Sequence, residues 1–189
     1  MNISKFTQKS VEILNNLEKI AYDFGAQEIA QEHLLYGMLT VEDSLIKKLI
    51  EKMEIDSDVF LAQVEGAVRK RPQVQGGQVY IGQDLNKVLV YAENEAKALG
   101  DEYVSVEHLF LSLLRKPSKE IKQLFHDFQI DRERFLQALS KVRGNQKVTT
   151  DNPEAVYDSL NKYGYDLVER AREKKLDPVI GRDSEIRNM

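Results

Sequence analysis

Apolar side chains recur every three or four residues along most of this chain, and the strict alternation of a half-buried strand is nearly absent. Ile13, Leu14, Leu17, Ala21 and Phe24 make a first helical stripe, with Gly25 placed to close it. Leu34, Leu35, Met38 and Leu39 make a second. Tyr36 renders that helix apolar nearly all round, so a central position is predicted. Ile46, Leu49, Ile50 and Met53 form a third stripe, with Asp43 expected as its cap. A fourth helix is predicted after Asp56, burying Phe60, Leu61 and Val64. The four prolines (Pro72, Pro117, Pro153 and Pro178) all fall between such segments.

The same four stripes return without a gap at one constant offset, the one that carries Glu32 onto Glu107. Glu32-His33-Leu34 recurs as Glu107-His108-Leu109. Leu14 matches Leu89, Gly25 matches Gly100, Leu39 matches Leu114, and Phe60 matches Phe135. Ser118 and Asp131 stand at the cap positions of the later helices. The segments 6–68 and 81–143 are therefore two copies of one unit. The predicted fold is all-α: two tandem four-helix repeats packed as a pseudo-twofold eight-helix bundle. One such unit, of roughly 63 residues, would be marginal alone. The connector from Arg69 to Gln78, polar and glycine-rich, reads as a mobile loop. Residues 1–143 then form one domain, and 144–151 a linker. Residues 152–189 open a further domain whose body is missing, starting with an Asn152-capped helix with Pro153 at its first position.

Charge and composition narrow the function. The chain holds 27 basic and 31 acidic side chains, which argues against non-specific nucleic-acid binding. The imbalance is local: residues 1–68 carry 6 basic and 12 acidic side chains, the rest 21 and 19. There is no cysteine, which removes disulfides, thiolate zinc sites and cysteine nucleophiles. No apolar run approaches the roughly 20 residues of a membrane helix, and the first residues do not read as a signal peptide. A cytoplasmic protein is expected, with no membrane or nucleic-acid partner. No phosphate-cradling Gly-x-x-x-x-Gly-Lys-Ser/Thr run is present, so this stretch is not expected to be an enzyme.

The Glu-His pairs invite a metal or acid–base reading, but adjacent helical residues point about a quarter-turn apart. His33 and His108 are better read as packing near a helix start, with Glu32 and Glu107 at its positive end. Arg69-Lys70-Arg71 is read as complementing the carboxy-terminal dipole of the helix before it. Departures from the repeat say more. Asn15-Asn16 become Val90-Tyr91, off the main apolar stripe, so copy two is expected either to expose apolar area to a partner or to use it between the copies.

The doubled unit with Glu-His-Leu in each half resembles the amino-terminal domain of the Clp-type AAA+ unfoldases. Gln78-Val79-Tyr80-Ile81, the run Gly100–Leu109 and Val142–Gln146 are similar to the disaggregase branch of that family, and Lys175–Asp183 is similar to its entry into the first ATPase domain. The resemblance implies a substrate-binding module that passes unfolded or aggregated polypeptide to a homohexameric ATPase ring, working with the DnaK system in stress recovery. It implies ATP and magnesium in the full-length protein and no cofactor here. Site residues carried over are Thr7, Asp101 and Glu107, beside the Val90 and Tyr91 patch; Thr7 also fits a helix cap. Asp101 and Glu107 are expected to lend that patch selectivity as nearby carboxylates. Val179, Ile180 and Gly181 match an adenine-contacting stretch. The alternative is the sister ClpC branch, an adaptor-docking domain in which the paired glutamates read phosphorylated arginine. Ala30-Gln31-Glu32-His33 and Ser105-Val106-Glu107-His108 depart from its Thr-Glu-His pattern.

Overall fold

A computed structural model describes residues 3–74 and 76–154. Val179, Ile180, Gly181 and the expected start of a further domain, beyond residue 154, lie outside the described residues. Copy one contributes α1 (Gln8–Asn15), α2 (Leu17–Asp23), α3 (Gln31–Thr40), α4 (Leu45–Lys52) and α5 (Ser57–Arg69). Copy two contributes α6 (Gln83–Ala98), α7 (Val106–Arg115), α8 (Lys119–Asp127) and α9 (Arg132–Arg143). The helices α3 and α7 begin and end at matched positions of the repeat, Gln31 with Val106 and Thr40 with Arg115. The first helix is where the copies differ. Helix α6 runs unbroken, whereas its counterpart breaks at Asn16 into α1 and α2. The Asn16 amide bonds back only three residues, to the Ile13 carbonyl at 3.1 Å, which tightens the last turn of α1.

Polar side chains set most helix starts as the pattern predicts. The Thr7 hydroxyl accepts from the Ser10 amide, Asp56 from Asp58 and Val59, Ser118 from Ile121, and Asp131 from Arg134. One cap is corrected. Ser44, not Asp43, accepts the Lys47 amide at 3.0 Å, because Asp43 is used one residue earlier to turn the chain at φ 56°. Gly25 and Gly100 close their helices at φ 74° and 72°, a region glycine enters without a Cβ clash.

The central helices are α3 and α7: Leu34, Leu35, Leu109, Phe110 and Leu111 have no exposed surface. Phe110 stacks on Phe135 at 4.4 Å, and Phe60 of copy one meets Phe128 of copy two edge-on at 5.0 Å. The copies are also stitched reciprocally. Strand β1 (Glu28–Ile29) of copy one pairs in parallel with β2 (Tyr80–Ile81), just ahead of copy two's first helix. In mirror fashion Phe6, ahead of copy one's first helix, bridges Val104 in copy two. The Gly82 amide donates to the Ile29 carbonyl at 2.9 Å, and the Thr7 amide to the Val104 carbonyl at 3.0 Å. The repeat offset carries Thr7 onto Gly82 and Ile29 onto Val104, so each bond is the image of the other, which is the signature of internal twofold packing.

Two segments read as loose from sequence are tied down. In the connector, the Val74 amide donates to the Gly25 carbonyl at 3.0 Å, and Arg71 pairs with Glu28 at 3.2 Å. Arg69 pairs with Glu65 at 2.8 Å and lies over the Phe24 ring. Arg69 stands in the last turn of α5, where its charge complements the dipole as read, and both it and Arg71 also meet carboxylates; Gln73 forms a backbone bridge with Ala26. In 144–151, Val148 is fully buried, its amide donates to Asp101 Oδ1 at 3.0 Å, and the Asp151 carbonyl accepts from the Gln8 amide at 2.7 Å. This stretch lies as a strap against the bundle.

Gln31 clasps the copies. Its Nε2 donates to the carbonyls of Asp84 and Lys116, both at 2.9 Å, and its Oε1 accepts from the Ser118 amide at 2.8 Å. The matched residue in copy two is Val106. Gln31→Val, which restores the symmetric residue, should lower the unfolding free energy in urea by about 1–3 kcal/mol, because it strands these groups at the interface. Circular dichroism should show unchanged helix content.

Candidate functional site

The two central helices start inside the protein, where water cannot meet their free amides. The Glu-His motif solves this locally. His108 is the third residue of α7, and its Nδ1 accepts the Ser105 amide at 2.7 Å. The ring proton must then lie on Nε2, which donates to Asp101 Oδ2 at 2.6 Å. Asp101 Oδ1 accepts from Arg143 Nη2 at 2.6 Å, and Arg143 Nη1 donates to Glu107 Oε2 at 3.0 Å. All four side chains are buried. Burial alone would raise the Asp101 pKa. The bond from His108, the bond and charge of Arg143 and the Val148 amide outweigh it and hold the carboxyl at about 2.

Copy one repeats the cap and lacks the rest. His33 Nδ1 accepts the Ala30 amide at 2.8 Å. The positions of Asp101 and Arg143, however, are filled by Ala26 and Val68. His33 Nε2 and both Glu32 carboxylate oxygens find no hydrogen-bond partner among the described residues. Arg71 Nη1 stands 3.7 Å from Glu32 Oε2. Burial drives the Glu32 pKa up despite Arg71, and burial with the Arg71 charge drives His33 down to about 4. Glu32 lines a cavity of about 540 Å³, bounded by Arg71, Gly66, Lys119, Glu120 and Gln123. No group of three or more His, Asp or Glu among the described residues is arranged to hold a metal.

The expected site residues separate into two sets. Thr7, Asp101 and Glu107 are buried. Thr7 caps α1, and Asp101 and Glu107 belong to the Arg143 network, so these two offer no carboxylate to a surface patch; that expectation is corrected. Val90 and Tyr91 stand on the outer face of α6, 53% and 40% exposed, and the packing alternative for them falls away. The Lys116 ammonium lies 5.1 Å from the centroid of the Tyr91 ring. Lys87, one turn before Tyr91 on α6, shares this face and was legible from its spacing. Lys116 arrives from the end of α7, and no local signal announced it.

A bundle of this doubled form, with buried Glu-His helix starts, defines an all-α module of the Clp type. The family described as Clp repeat (R) N-terminal domain matches residues 5–128, and the chain belongs to that family. It is 45% identical over 195 residues to the chaperone protein ClpB of Nitratidesulfovibrio vulgaris, covering the whole of this chain and 22% of that protein. It is 41% identical over 194 residues to the chaperone protein ClpB of Bacillus anthracis, again over 22% of its length. The chain thus spans about a fifth of the curated relatives it matches. Among solved structures, the Hsp104 N-terminal domain from Candida albicans superposes with a TM-score of 0.69 at 20% identity, over 78% of this chain and 97% of that one. A ClpV N-domain in complex with a VipB peptide superposes at 0.60 and 20% identity, over 73% and 86%. These two likenesses establish the fold.

The buried groups of the two half-sites should leave distinct marks on stability, with Glu32 opposite in sign to Asp101 and His33. Asp101 has a depressed folded-state value, so its contribution of about 2 kcal/mol is present above pH 4 and lost as pH falls toward 2. His33, buried neutral, adds acid sensitivity between about pH 6.5 and 4. Glu32 has the reverse sign, since keeping it ionised at neutral pH opposes folding. Glu32→Gln should therefore raise the urea midpoint at pH 7. Arg143→Met, which leaves two carboxylates buried without their partner, should lower stability by about 3–5 kcal/mol.

Proposed function

We propose that this chain is the client-engaging amino-terminal module of an ATP-dependent protein disaggregase. It engages unfolded or aggregated polypeptide on the outer face of α6 and passes it to a homohexameric ATPase ring, with the DnaK system as partner in cytoplasmic stress recovery. ATP and magnesium act in the ring, not in this module. The observation that carries the reading is the exposed Val90–Tyr91 pair, set where the internal twin presents exposed Asn15 and Asn16. An exposed apolar pair where the internal twin is polar is the kind of surface a partner covers. Relatives that are chaperones by name, and a neighbour of the same fold with a peptide bound, support it.

Burying one such aromatic is worth about 1.5–3 kcal/mol. Association costs of roughly 4 kcal/mol or more absorb much of that, so one patch binds weakly and six on a ring gain by avidity. Tyr91→Ser should weaken binding of a permanently unfolded client by several-fold in an NMR titration without loss of helix, while Asn16→Ser should leave it unchanged. Equal binding by the two variants would remove this face as the site.

A second reading, capture of phosphorylated arginine, is favoured by one observation at copy one alone: Glu32, whose carboxylate has no hydrogen-bond partner among the described residues and only the Arg71 charge at 3.7 Å, lines a cavity. In copy two Arg143 already holds Glu107. Titration with free phosphoarginine should, on this reading, shift amides around Glu32 and not around Glu107, and Glu32→Ala should abolish the shifts. No shift at either place would dismiss it.

A further inference from the structure

We propose that the α6 client face selects segments in which acidic side chains flank apolar ones. The inference rests on the reading of that face as the client site, and goes beyond it by assigning the class of segment.

The argument comes from comparing the two faces that the internal twofold relates. In copy one, a cleft of about 490 Å³ between α1 and α3 is lined by Glu12, Asn15, Asn16, Thr40, Val41 and Glu42. Their counterparts in copy two are Lys87, Val90, Tyr91, Arg115, Lys116 and Pro117. Two carboxylates are lost, three cations are gained, and two amides become an aliphatic and an aromatic side chain. Lys9, which sits 3.4 Å from Glu12, becomes Asp84, which lies 4.0 Å from Lys87. Glu18 and Glu93 match, so they cancel in the comparison.

The remaining acidic group beside the α6 face does not neutralise it. Glu95 is buried and already accepts from two cations, Arg115 and Arg132, the latter at 2.7 Å. Counting Lys87, Lys116, Arg115 and Arg132 against Asp84, Glu93 and Glu95 leaves a surplus of one positive charge. The Arg115 side chain is half exposed and Lys87 61% exposed, so both are open to a ligand. Lys116 is the informative residue. Its ammonium is held beside the Tyr91 ring, so an apolar side chain packing on the ring places its neighbours within reach of that charge. A carboxylate there gains a charge-assisted contact, while a lysine or arginine meets like charge.

The test uses three length-matched unstructured peptides with one apolar core and neutral, acidic or basic flanks, titrated into the chain and followed by fluorescence anisotropy. At low salt the acid-flanked peptide should bind five- to tenfold more tightly than the basic one, and 0.5 M salt should close most of that gap. The double variant Lys87→Glu/Lys116→Glu, checked for helix content, should reverse the order. Tyr91→Ser should weaken all three. If acidic and basic peptides bind equally, or the double variant leaves the order intact, while Tyr91→Ser still weakens every peptide, the charge preference is overturned and the client face stands. If Tyr91→Ser weakens none, the client face itself is wrong.

Discussion

Two helices that begin in the interior, α3 and α7, impose the constraint on which the rest is built. A buried helix start leaves amides that must be met by protein atoms. Here an imidazole at the third helical position bends back to the amide before the helix, at 2.8 Å in one copy and 2.7 Å in the other. Using Nδ1 as acceptor fixes the proton on Nε2 and aims a donor deeper into the fold. The cap therefore creates a second demand, for an acceptor facing Nε2 and a cation near the preceding glutamate.

Copy two meets both parts of that demand and copy one only the cation, and the difference follows from two substitutions. Copy two supplies Asp101 and Arg143, and the network extends to the Val148 amide, drawing the strap 144–151 onto the bundle. Copy one has Ala26 and Val68 at those places, so the connector residue Arg71 approaches Glu32 from outside the repeat unit. A buried carboxylate without donors raises its pKa, and one with several donors lowers it. Glu32 in copy one is accordingly raised, and Asp101, which copy two adds beside the motif, is lowered.

Duplication also freed the outer faces to diverge. The reciprocal stitching of Phe6 to Val104 and of Ile29 to Ile81 holds the copies together through backbone bonds that do not depend on surface side chains. Gln31 adds a clasp that copy two does not reproduce. With the core and interface secured in this way, Asn15-Asn16 and Val90-Tyr91 are free to serve different chemistry.

The sequence by itself determined the helices, their order, the duplication and the buried stripes, because each is a local periodicity repeated at a constant spacing. It also placed Thr7, Ser118, Asp56 and Asp131 as caps, since a cap acts on amides two or three residues away. It missed the break at Asn16 and the shift of a cap from Asp43 to Ser44, which turn on backbone choices a single residue wide. Only the tertiary structure decided which charged groups meet. The burial of Asp101 and Glu107 depends on Arg143, 42 and 36 residues away in the chain. The charge beside Tyr91 depends on Lys116, from another helix. The connector and the strap are polar stretches whose order comes from distant partners, so neither composition nor spacing could reveal it. Contacts between residues far apart in the chain leave no periodic trace, and the electrostatics of this protein are made of such contacts.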